Sequence, residues 1–305
     1  MARRPWRLVL ASIAFAVWAP VTLVGLPFAC LTLAARPRAP AQWATALLVG
    51  LASAALLVAG EHDLLAGLVR AYVVIVSAAF AVLTVVAPAR FQRQALRTCV
   101  LGLGVALALA RVVLGQSAGE MLEWDATRQA STMLRFLVEV RPEVYAMFEP
   151  AVRFLGETFP ATLVLEGLAG LALAWQWHQL VAPRPLGEPL GPFREFGFAD
   201  PWVWAVVAAI AVWITPLFGA LKTAALNLLV VLGALYLLRG AAIVVAFAGV
   251  LGISPAALVG ALVVSAVLAV PLVFILPGLA TLGVTDTWLE FRRRLASRPN
   301  VSGGS

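Results

Sequence analysis

Apolar runs long enough to cross a bilayer alternate with short polar connectors along most of the chain. Crossing a hydrocarbon core of about 30 Å takes about 20 apolar helical residues, with roughly 17 to 25 tolerated. Eight runs are candidates: residues 8–33, 43–59, 64–87, 99–115, 161–181, 202–219, 225–251 and 256–283. The first holds Pro20, Gly25 and Pro27, and the last holds Pro271, Pro277 and Gly278, so both are expected to be kinked or broken. A break frees carbonyls and amides that lipid cannot satisfy, so it must be covered by protein or line a watery cavity. Both broken segments are therefore candidates for lining a site.

The pattern changes between Gln116 and Pro160. From Met133 onward Leu137, Val140, Val144, Phe148, Val152, Leu155 and Phe159 recur every three or four residues, while Glu139, Glu143, Glu149, Arg153 and Glu157 take other positions. This is the helical period of an amphipathic stretch. Pro142 and Pro150 are expected to cut it into shorter helices, each too polar to span. Such helices lie in the headgroup region as a connector, or act as a lid or a partner-docking surface. A second connector, 183–200, is rich in Pro and Gly and reads as a loop. The expected fold is all-α, a polytopic transmembrane helical bundle forming one membrane domain over 1–305.

Composition excludes the alternatives. The 305 residues are 62% hydrophobic and 12% charged, with a mean hydropathy of +0.97, where soluble domains have about 45–50% and about 25%. So apolar a chain is also not disordered in water. The net charge of +7, in which Lys222 is the single lysine among 22 basic residues, would suggest nucleic acid in a soluble protein. Here most arginines sit at segment ends or in short loops, where they bias insertion and face anionic headgroups, and nucleic-acid binding is not expected. If all eight runs cross, the side bearing both termini carries Arg3, Arg4, Arg7, Arg128, Arg135, Arg141, Arg153, Lys222, Arg292, Arg293, Arg294 and Arg298. The other side carries Arg36, Arg38, Arg90, Arg93, Arg97, Arg184 and Arg194, which places both termini in the cytoplasm. The loop Pro88–Thr98, with three of those arginines, then faces outward. The basic start resembles a signal peptide, but the run 8–33 is too long for one, and an uncleaved first segment is expected. Cys30 and Cys99 are not clustered with other ligands and read as small buried hydrophobes, with no disulfide or metal site.

Polar residues inside the segments are the candidate chemistry. Arg239 sits near the middle of 225–251, at an insertion cost of about 2.5–3.5 kcal/mol that the surrounding apolar residues offset. It must point at protein, water or an anion: a ligand group on one reading, backbone carbonyls or Glu166 on the other. Gly240 beside it permits close backbone approach or a break. Glu166 enters its segment only about a turn and a half in, so capping or snorkelling is favoured over a proton relay. Arg70, Arg111 and His178 lie near segment ends and read as snorkelling side chains, and Asn227 as an interhelical or ligand hydrogen bond. Trp6, Trp43, Trp175, Trp177, Trp202, Trp204 and Trp288 fall near segment boundaries, as interfacial anchors do. The ligand-binding candidates are Arg239, Asn227, Tyr236, Glu166 and Trp202. The chain carries no His-Glu-x-x-His or Walker sequence and no serine with a plausible histidine partner in the same layer, so no enzyme, cofactor or metal is expected.

Several stretches of the second half resemble a known family. They are 158–164 around Pro160, 192–202 with Phe193, Arg194 and Pro201, 226–229 with Asn227, 235–240 ending on Gly240, and 282–294 with Gly283, Asp286, Trp288, Phe291 and Arg292. Their order resembles the YybS-like membrane proteins of bacteria, over roughly 150–295, with the first half similar in segment pattern alone. That family's fold-level similarity to substrate-binding subunits of energy-coupling-factor transporters implies a bacterial inner-membrane protein that binds or transports a small molecule and needs an energising partner. The alternative is a non-transporting scaffold or regulator that recruits other proteins. The closing motif also has a physical reading: Thr287 and Glu290 form a capping box for a further helix, with Asp286 at its positive end, Trp288 anchored at the interface and Arg292–Arg294 holding the tail in the cytoplasm. A coupling contact to another protein is the alternative there.

Overall fold

The computed structural model describes residues 5–60, 63–115, 117–140, 143–268, 270–291 and 294. Among them every regular element is helical, and the chain divides into two compact units, residues 1–190 and 191–305. Arg3, Arg4, His62, Arg141, Pro142, Arg292, Arg293 and Arg298 fall outside the described residues.

In the first unit the break expected in run 8–33 occurs at Pro20. Helix α1 (Pro5–Trp18) ends there, and α2 (Thr22–Ala34) restarts with the Leu23 N–H donating to the Pro20 carbonyl at 2.9 Å. Pro27 stays inside α2. Next come α3 (Pro40–Ala59) and α4 (Leu64–Val86), the latter capped by Asp63, whose Oδ1 accepts from the Ala66 N–H at 2.7 Å. Helix α5 (Phe91–Leu114) starts eight residues earlier than its apolar run, so the expected loop Pro88–Thr98 is a loop only as far as Arg90. Arg93 and Arg97 ride on its first turns, because Gln94, Ala95 and Thr98 on the same turns are buried and Gln94 donates to the Thr84 hydroxyl of α4 at 3.0 Å.

The amphipathic region forms two helices, α6 (Ala118–Val140) and α7 (Glu143–Glu157), packed on each other. Pro150 does not cut α7, contrary to the sequence expectation, and at Gly156 a Cβ would strike the Thr127 hydroxyl of α6. Helix α8 (Phe159–Val181) packs on α1, α2, α4, α5 and α7 and is the most buried of the long apolar helices. Its small residues set that closeness: a Cβ on Gly170 would lie 2.7 Å from the Leu23 carbonyl of α2, and one on Gly167 would strike the Tyr72 hydroxyl of α4.

In the second unit, run 202–219 is not one span. Helix α9 (Trp202–Ile214) stops at 13 residues, about 20 Å. Thr215 is forced extended by the following Pro216, and Pro216–Leu221 is 3-10. Helix α10 (Lys222–Val250) has 29 residues and packs on α9, on a 3-10 turn at Phe193–Glu195, and above all on α12 (Val270–Leu289). Run 256–283 is covered by α11 (Pro255–Leu268) and α12, with Pro271 in the first turn of α12 and Pro277 inside it; the break expected near Pro271 falls at residue 269, outside the described residues. Among the described residues five helices are long and apolar enough to cross a membrane by themselves: α3, α4, α5, α8 and α10. Those five and the shorter apolar α1, α2 and α9 make a polytopic helical bundle.

Candidate functional site

The α10–α12 crossing is made by two glycines. A Cβ on Gly240 would collide with the Leu279 carbonyl, and one on Gly283 with the Tyr236 carbonyl, so the two backbones meet with nothing between them. Of the two readings of Gly240, close approach is the one realised.

Arg239 leaves α10 beside this contact. It is 5% exposed, and its Nε donates to Asp286 Oδ2 of α12 at 3.0 Å while its Nη1 donates to Asp200 Oδ1 at 3.0 Å. The two acids differ: the Asp286 side chain is 3% exposed and that of Asp200 is 59% exposed. Phe198 lies under the guanidinium, 5.7 Å from its ring centre, and meets the Tyr236 ring edge-on at 4.8 Å. The Tyr236 hydroxyl is buried beside Thr287. Three stretches of the family resemblance thus converge: 192–202 brings Phe198 and Asp200, 235–240 brings Tyr236, Arg239 and Gly240, and 282–294 brings Gly283 and Asp286.

The remaining candidates lie elsewhere or play other parts. Asn227 stands 12 residues before Arg239, about 18 Å along α10, and donates to the Thr223 carbonyl of its own helix at 2.9 Å. Trp202 opens α9 two residues after Asp200 and is 39% exposed. Pro201 precedes α9, Pro160 stands in the first turn of α8, and Phe193 and Arg194 are exposed on the 3-10 turn. Trp288 is exposed, and Phe291 is half-buried. The capping box expected at Thr287 and Glu290 does not form. Helix α12 continues to Leu289, so Asp286 and Thr287 sit inside it, and Asp286 serves Arg239 instead.

In the first unit Glu166 is buried on α8 rather than snorkelling, because it shares the packed face with Leu163 and Gly170. His178 is not snorkelling either: it is fully buried, and its Nε2 accepts from the Leu186 N–H at 3.0 Å. Beside it Gln179 donates to the Leu186 carbonyl at 3.0 Å, and Trp175, 4% exposed, donates to the Glu188 carbonyl at 3.1 Å. Trp177 donates to the Ser12 hydroxyl of α1 at 2.9 Å. These α8 side chains hold protein rather than anchor in headgroups. Arg70 donates to the Gly60 carbonyl just past the end of α3 at 2.6 Å, a capping role rather than a snorkelling one. Asp125, 3% exposed on α6, accepts from the Leu65 N–H at 3.0 Å and from Arg128 at 2.7 Å, and Gln129 donates to Asp63 at 2.7 Å. This polar contact docks the amphipathic helix on the start of α4.

Sequence reasoning missed Asp200 and Phe198, which it read as loop. The available signal was charge: a mid-segment arginine needs carboxylates, and Asp200 and Asp286 each stand at the edge of an apolar run.

No curated protein and no solved structure matches the chain. One family model, described as "Predicted membrane protein (DUF2232)", matches residues 7–287. With nearly its whole length inside that match, this multi-pass membrane protein belongs to the DUF2232 family.

Proposed function

We propose that the protein is a small-molecule binding or transport subunit of the bacterial inner membrane, dependent on a partner for energy and with both termini in the cytoplasm. The observation that carries this reading is the Asp200–Arg239–Asp286 cluster in the second unit. A buried ion pair is weak evidence for stability, since an apolar replacement of similar volume is often as stable. Ionisable groups kept within membrane segments instead mark ligand and ion pathways. The resemblance to YybS-like proteins, and through them to substrate-binding subunits of energy-coupling-factor transporters, points the same way. Partner dependence fits a chain that carries no ATP-binding sequence.

Native mass spectrometry of the protein purified in lipid nanodiscs tests it. A small molecule or a partner protein that co-purifies stoichiometrically is expected. A chain that travels alone and empty, while recruiting soluble proteins through the α6–α7 hairpin, would establish the scaffold reading instead. That second reading is favoured by the hairpin itself, whose Trp124 is 66% exposed with Arg128 stacked on its ring at 5.3 Å. Orientation is tested by an Arg294→Cys variant: an impermeant thiol reagent added to intact cells should not label it.

A further inference from the structure

We propose that Arg239 is an anion-binding site whose outer partner, Asp200, is a tethered stand-in for the carboxylate or phosphate of a ligand. This rests on the binding-subunit reading and names the class of group that the site takes.

The two acids that meet Arg239 are not equivalent. Both carboxylates stand 3.0 Å from the same guanidinium, but Asp286 is sealed at 3% exposure on α12 while Asp200 is 59% exposed on a connector. Removing Asp286 would leave the buried arginine with only a solvent-exposed partner, so that contact is fixed. The Asp200 contact, with one partner in solvent, is of the weak, exchangeable kind. Charge arithmetic permits the exchange: one arginine and two aspartates sum to −1, and a monoanion that takes the place of Asp200 leaves the same sum at the site. Asp200 then turns outward, where its charge is hydrated, and no buried charge loses its partner.

The guanidinium is suited to the exchange because its planar fork matches carboxylate and phosphate alike, and its Nη2 makes no hydrogen bond to a described residue. Phe198 stays on the guanidinium face and against Tyr236, so release of Asp200 does not require the aromatic contacts to open. Occupancy by Asp200 lowers the apparent affinity for an outside anion by the fraction of time that Arg239 is left open.

The test uses the full chain in nanodiscs, with acetate and inorganic phosphate as probes against chloride at equal ionic strength, and thermal unfolding as the readout. Asp200→Asn should reach half-maximal stabilisation at about a tenfold lower concentration of acetate or phosphate than wild type, as expected if Asp200 occupies the site about nine-tenths of the time. Adding Arg239→Gln to that variant should abolish the response. Because Asp200 is mostly exposed, Asp200→Asn alone decides the matter if the double variant fails to fold. Equal responses of wild type and Asp200→Asn, or a less stable Asp200→Asn that neither anion restores, would overturn the proposal. A co-purifying molecule whose binding survives Arg239→Gln would overturn it too, while leaving the binding-subunit reading intact.

Discussion

The two units each hold a polar connector against a long apolar helix, and they do so by opposite means. In the first, the C-terminal turns of α8 grip residues 186–188 with neutral groups: Trp175, His178 and Gln179 bond to backbone atoms. In the second, α10 grips the connector through charge, with Arg239 reaching Asp200 and bracing on Asp286. Neutral bonds of this kind contribute about 1 kcal/mol each and fail gently. A buried charge fails severely when one partner leaves. Nothing in holding a connector requires the charged solution, as the first unit demonstrates, and that makes the charged one informative about function.

Substitutions can break or sharpen this contrast. The largest effect is expected for Asp286→Asn, which leaves Arg239 with only its exposed partner: a loss of about 3–5 kcal/mol in unfolding free energy, read as a large fall in thermal midpoint. Next is Gly240→Ala. Its methyl would meet the Leu279 carbonyl, a backbone atom that cannot swing aside, at a cost of about 1–3 kcal/mol. Gly104→Ala, where a Cβ meets nothing within 4 Å, should be neutral or slightly stabilising, so equal losses at the two positions would refute the close crossing. In the first unit, His178→Phe should cost about 1–2 kcal/mol and speed amide exchange at Leu186, whose N–H loses its acceptor. The smallest loss is expected for Asp200→Asn in chloride, at most about 1 kcal/mol given its exposure. A fall at Asp200 as large as that at Asp286 would erase the asymmetry between them.

Much of the layout was legible from hydrophobic run length. The break at Pro20 was legible because proline lacks the amide that a helix interior needs. Pro27, Pro150 and Pro277 carry the same chemistry yet stay inside helices, since tertiary packing overrides local preference. The early start of α5 was hidden because Gln94 and Thr98 read as polar loop until their partner faces are known. Trp175 and His178 were misread for a related reason: indole and imidazole suit a lipid interface and a buried backbone contact equally well.

The sequence by itself determined that this is a helical membrane protein and that Arg239 is its costly residue, because transfer energies depend on composition and run length alone. Which acids answer Arg239 was decided only by the tertiary structure. Asp200 and Asp286 are 39 and 47 residues away in sequence: Asp286 meets the arginine where Gly240 and Gly283 let two helix backbones touch, and Asp200 reaches it from the connector ahead of α9. Such pairing depends on where helices cross, and no local pattern encodes that.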